Sequence, residues 1–156
     1  MSLDAVQEKI AGEWTGENLL RLSWMSPSEF RSPSVLKVGR AAKGCFLSVT
    51  YTWAHENTPH EAFLLVGVDP NDKVATAAWV DSWHMSSKVM YCRGTMSDNG
   101  HIDLRGTYEA PPDPDWGWHI VLTAADGRLR MQMFNCPPGG GEDLAVQADY
   151  TRKSRE

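Results

Sequence analysis

The strongest constraint on this chain is its punctuation. Short runs of β-branched, aromatic and Met residues, separated by tight-turn sequences, fill it from residue 12 onward. The clearest runs are Phe46–Trp53, Ala62–Val68, Val74–Trp83, Lys88–Met96, Ile102–Tyr108, Trp118–Ala124, Leu129–Phe134 and Leu144–Thr151. Gly12–Leu22 and Val35–Ala41 add two more. Asp69-Pro70-Asn71-Asp72 is a turn sequence. Asn99-Gly100 and Asp126-Gly127 read as two-residue hairpin turns, because their central residues tolerate φ > 0. Cys136–Asp143, with two prolines and three glycines, reads as a longer hairpin loop. Such turns join neighbours antiparallel. About ten strands in a meander must expose two long edges or close on themselves. The sequence therefore predicts an all-β fold, an antiparallel up-and-down β-barrel of about ten strands, as a single domain over residues 1–156.

One helix precedes the strands. Leu3, Val6 and Ile10 share a helical face, Asp4 with Gln7 has the form of a capping box, and Gly12 supplies the stop. This short helix has one apolar stripe and must lie against something, so it is expected to close one barrel end.

Composition removes several classes of function. With 156 residues, 42% hydrophobic and 22% charged, the chain can bury one sizeable core and is not of the disordered type. The longest apolar run is far short of the ~20 residues that a membrane helix needs. A net charge of −5 argues against nucleic acid or an anionic membrane as partner. The three cysteines, Cys45, Cys92 and Cys136, form no C-x-x-C pair, so neither a zinc site nor a redox motif is indicated and no cofactor is expected. Cys45 and Cys92 read as small buried hydrophobes. The first fourteen residues have no apolar signal-type stretch, and reduced thiols fit a cytoplasmic location. A homodimer is the form to expect if the chain associates.

A ten-strand barrel has more interior room than an eight-strand one, which side chains just fill. A cavity is the expectation, and an interior filled by the seven Trp and seven Met is the competing reading. Period-two alternation puts Ala75, Ala77, Trp79, Asp81 and Trp83 on one face, a mixture suited to a cavity wall with one polar handle. The candidate ligand-binding residues are Trp53, Trp79, Asp81, Trp83, His84, Tyr91 and Met131, around a small apolar or amphipathic molecule. Which strand faces point inward is left open by one sequence.

Other constellations carry less. His55 and His60 flank a turn and would be within reach of one metal ion if they faced each other, but no third ligand is identifiable. Asp81 and His84 suggest acid–base chemistry, although a spacing of three puts them on opposite strand faces unless a bulge intervenes. Trp116 is placed to overhang a barrel mouth. Gly139-Gly140-Gly141 lacks the helix and Lys of a phosphate loop, and no G-x-S-x-G occurs.

Gly12-Glu13-Trp14 after a short helix, with Tyr150-Thr151-Arg152-Lys153 closing the last strand, resembles the calycin pattern of lipocalins and related barrels. That resemblance implies a cation–π contact of Arg152 on Trp14, worth ~1 kcal/mol. The sequence is also similar, over most of its length, to the bacterial family domain of unknown function 1579. The matching segments are GEWTGE at Gly12–Glu17, FLLVGVDPNDKVATAAWVDS at Phe63–Ser82, RGTMSDNGHIDLRGTYEAP at Arg93–Pro111 and the terminal YTRK. Trp83-His84 departs from that pattern. The resemblance implies a lipocalin-like barrel and brings no activity with it. Nitrobindins, ten-strand barrels with the same G-x-W start, hold haem through one His. Likeness to them would make His84 or His119 the axial ligand, though no extended motif matches. Four functions remain from the sequence: small-molecule binding, haem binding, a barrel enzyme using Asp81 with His84 or Tyr91, and a ligand-free structural or dimerisation domain.

Overall fold

The computed structural model describes residues 1–153. Helix α1 (Leu3–Ile10) leads into ten strands: β1 (Gly12–Arg21), β2 (Glu29–Ala41), β3 (Phe46–His55), β4 (Thr58–Val68), β5 (Val74–Asp81), β6 (Met90–Met96), β7 (Ile102–Tyr108), β8 (Trp116–Ala125), β9 (Arg128–Cys136) and β10 (Asp143–Arg152). Each strand pairs antiparallel with its sequence neighbours, and β1 pairs with β10, so the sheet is a closed barrel. The predicted meander and its closure are both present. No helix among the described residues is long and apolar enough to cross a membrane.

The buried residues follow period two, as a half-buried sheet requires. Leu47, Val49, Tyr51 and Trp53 of β3 point inward, as do Ala75, Ala77, Trp79 and Asp81 of β5. Met90, Cys92 and Met96 of β6 do the same. Along β6 this alternation turns Tyr91 outward, where it is 79% exposed, so Tyr91 is removed from the candidate site.

Several local expectations are corrected. Ser2, not Asp4, caps α1, its hydroxyl accepting from the Ala5 N–H at 3.1 Å. Gln7 is fully buried and anchors the helix instead, its amide donating to the carbonyls of Gly44 and Phe46 at 3.2 and 2.9 Å. Cys45 is exposed in the β2–β3 turn, while Cys92 is buried in the barrel and burial pushes its thiol up to about 11. At Asn99-Gly100 only Gly100 takes positive φ, in a longer loop between Met96 and Ile102. The tight two-residue turns are Asp126-Gly127, as read, and Glu56-Asn57, where both residues take positive φ.

β2 is longer than its sequence suggests. Pro33 cannot donate to a ladder, and β2 pairs with β3 only from Leu36 onward. Side chains take over in the earlier stretch. The Ser32 hydroxyl accepts from the Ala54 N–H, and the Thr52 hydroxyl accepts from the Val35 N–H.

Helix α1 closes one end of the barrel. Val6 and Ile10 are buried in the core beside Trp14, whose indole N–H donates to the Ile10 carbonyl at 2.9 Å. The Arg152 guanidinium sits 4.4 Å from the centre of the Trp14 ring and donates to the Ala11 and Lys9 carbonyls. The other end, formed where β1, β3, β5, β7 and β9 finish, carries no helix and is the mouth.

Candidate functional site

The mouth is shaped by how β5 ends. The sequence reading carried this strand through Trp83, but it stops at Asp81. Asp81 is 2% exposed, and its Oδ1 accepts the main-chain N–H groups of Trp83 and His84 at 2.8 and 2.9 Å. This is the local turn that an Asp side chain offers the backbone two residues on. Its other oxygen accepts the Trp53 indole N–H at 3.1 Å. The chain therefore reverses at Asp81, and Trp83, His84 and Met85 fold across the barrel opening.

That reversal packs the His84 ring among four indoles. Ring centres lie 4.8 Å from Trp83, 5.3 Å from Trp118, 5.5 Å from Trp53 and 5.8 Å from Trp79. Burial, with a smaller contribution from His60, pushes the imidazole down to about 4 against the opposing pull of Asp81, so it is neutral at pH 7. Among the described residues its ring nitrogens make no hydrogen bond. Asp81 bonds the His84 main chain and not its ring, so the two are not assembled as an acid–base pair.

Beneath this turn lies a cavity of about 310 Å³, lined by Trp79, Trp83, His84, Met90, Tyr108 and Trp118 among others. Trp24 and Met85 reach its rim. Its floor is the stacked pair Trp79–Trp118, with centres 5.4 Å apart and planes 13° apart. Polar groups are few: Arg21 lies at the edge, Tyr108 donates to Asn135 Oδ1 at 2.6 Å, and the Trp118 indole N–H is buried without an acceptor among the described residues. Gly106 leaves the space that Met90 fills, since a Cβ there would lie 2.7 Å from the Met90 sulfur. A larger concavity of about 690 Å³ lies over the outer face of β2–β5, walled by Lys37, Thr50, Thr52, Glu61 and Ser82. It is the more open of the two, and Val35, Phe63 and Val80 share its wall with these polar groups. Enclosure and aromatic lining favour the mouth.

The structure brings Trp79, Trp83 and His84 of the candidate set to the cavity wall. Trp53 and Asp81 stand behind them, holding the turn. Met131 points inward and is fully buried, but packs in the barrel core away from the cavity lining. Trp116 opens β8 opposite Tyr108 and does not line the cavity. Among the lining residues that the sequence reading missed are Leu20, Arg21, Tyr108, Trp118, Asn135 and Ala145, from five different strands, and Leu22 and Trp24 of one hairpin. The Asp-Ser-Trp-His turn was the one local signal for this placement.

The other histidines lie elsewhere. His55 pairs with Thr58 and His60 with Trp53, so the two do not face each other. No group of three or more His, Cys, Asp or Glu side chains suited to a metal ion occurs among the described residues. His119 is on the outer face of β8. Its Nδ1 is 2.7 Å from Glu142, and its Nε2 is 2.9 Å from Asp103 but off the line of a good hydrogen bond. It cannot ligate a group inside the barrel. Haem on His84 fits poorly as well, because four indoles crowd its ring and the cavity holds only roughly ten water volumes.

Among solved structures, the chain is similar to the crystal structure of Rv2717c from M. tuberculosis, with 14% identity, a TM-score of 0.71 and 99% of each chain covered. At that identity the likeness shows the fold alone. No curated protein matches. The pattern of one family covers residues 5–152, nearly the whole length. The chain belongs to the family described as Protein of unknown function (DUF1579).

Proposed function

We propose that this protein binds a small, flat, largely apolar molecule with one polar group, held in the mouth cavity. The observation that carries this reading is the combination of about 310 Å³ of aromatic-lined space with a neutral His84 ring that has no hydrogen-bond partner among the described residues. A neutral imidazole offers one donor and one acceptor. The volume lies at the lower end of the ~300–1,000 Å³ range of ligand sites. An apolar wall supplies affinity, and the imidazole fixes orientation. Binding is favoured over catalysis because Asp81, the obvious base, is occupied by three hydrogen bonds.

The test is a tryptophan-fluorescence titration with a flat neutral probe such as 2-naphthol. Saturable quenching is expected in the native protein and its loss in Trp83→Ala, whose folding is checked by circular dichroism. Trp83 is only partly buried, so this variant should keep its barrel. Undiminished quenching in the folded variant would sink the reading. A haem titration run in parallel should give no Soret band.

A further inference from the structure

Among the described residues lining the mouth cavity, Arg21 is the one charged group, and no carboxylate lines it. This stands out in a chain of net charge −5. Arg21 is not idle. Its Nη1 donates to Asp143 Oδ1 at 2.6 Å and to the Leu144 carbonyl at 3.3 Å. No hydrogen bond from its Nε or Nη2 is present among the described residues. A guanidinium has five N–H donors in a planar fork that matches a carboxylate in two-point contact. Here one arm of the fork is used.

Asp143 is not part of the cavity wall. It opens β10 opposite Asn135 of β9, just after the loop that carries Gly139, Gly140 and Gly141. The Arg21 and Asp143 side chains are 35% and 40% exposed, so separating them returns an already wet carboxylate to water at small cost. Asp143 is thus a half-exposed resident carboxylate, held on the strand but with a side chain free to turn to water, seated on the cavity's single cation.

We propose that the ligand of the mouth cavity is a small carboxylic acid with a flat apolar body, whose carboxylate pairs with Arg21 in place of Asp143. This rests on the mouth being a binding site. The apolar body lies along the Trp79–Trp118 wall, and the carboxylate reaches the rim where β1 and β10 meet. The neutral His84 leaves the charge balance to Arg21 alone.

The test compares 2-naphthoate with 2-naphthamide, which share a shape and differ in charge, by calorimetry on the native protein, Arg21→Gln and Asp143→Asn. Native protein should prefer the acid by about twofold to fivefold, the size expected for one half-exposed ion pair. Arg21→Gln should bring the two probes to parity. Asp143→Asn, which removes the competitor, should tighten the acid severalfold and leave the amide unchanged. The two variants move in opposite directions, so a general loss of folding cannot imitate the result. Equal binding of acid and amide by the native protein, or a preference that survives Arg21→Gln, overturns the acid assignment and leaves the pocket standing. Binding of neither probe overturns the pocket reading, and this assignment with it.

Discussion

The two ends of this barrel are built on opposite rules. At the closed end every large polar group named above has a partner. Trp14 bonds the Ile10 carbonyl, Gln7 bonds two carbonyls, and Arg152 covers the Trp14 ring while bonding the last carbonyls near α1. At the mouth, among the described residues, buried nitrogens of His55, Trp116 and Trp118 have no hydrogen-bond partner, and burial pushes the His84 imidazole down to about 4. Buried polar atoms are normally satisfied, so exceptions call for a reason. Three of the four such nitrogens among the described residues gather at this end, the fourth being His119 Nε2 on the outer face of β8, and a binding site is one reason for an end to depart from what stability alone favours.

Substitutions can break this contrast, starting with the closed end. Trp14→Ala removes a side chain that is 2% exposed and should cost about 3–5 kcal/mol in urea denaturation. A loss below about 1 kcal/mol would mean that the closed end is not the stabilising one.

The next effect is one of pH. The folded His84 titrates at about 4 and the unfolded one near ~6.5, so between these values only the unfolded chain takes up the proton. Its contribution is intact above pH 6.5 and is lost as pH falls toward 4, by up to about 3 kcal/mol. His84→Phe should flatten this part of the stability–pH curve. An unchanged slope would place the imidazole in water.

Asp81→Ala strips the acceptor from three donors and should cost about 2 kcal/mol. It should also abolish 2-naphthol binding, because the turn that builds the mouth is gone. Retained binding would show that the turn stands without its cap. The smallest effect belongs to Trp24, which is 73% exposed at the cavity rim. Trp24→Ala should leave stability within about 0.5 kcal/mol while weakening the probe. Unfolding at lower urea would contradict the first part, and unchanged affinity the second.

Much of the fold was legible because it is local. Alternation along Phe46–Trp53 and Val74–Asp81, and the turn chemistry of Asp126-Gly127, each act over a few residues and agree with the barrel. The Trp14–Arg152 contact was legible through family resemblance and is present at 4.4 Å. The site was legible only in part. Extending β5 through Trp83 separated Asp81 from His84, whereas the Asp81 carboxylate bends the chain and sends His84 inward. Tyr108, Asn135 and Leu20 meet at the cavity through the barrel's closure, and no spacing in the sequence encodes that meeting. The Arg31-Ser32-Pro33-Ser34 stretch of β2 lies outside the strand read from the sequence and is a strand because it pairs with β1, while hydroxyls of Ser32 and Thr52 supply side-chain links to β3.

One seam of the barrel has a consequence for how the chain folds. Nine of the ten strand pairings join sequence neighbours, and the tenth, β1 with β10, brings Trp14 opposite Arg152. The nine are cheap hairpins with short loops. The tenth must gather almost the whole chain before any of its bonds form. Ring closure should therefore be the late event of folding, and Arg152, reaching across that seam to the Trp14 ring and the end of α1, acts as its clasp. The residue pair that marks this family resemblance at the chain's two ends is also where an open ribbon becomes a closed vessel.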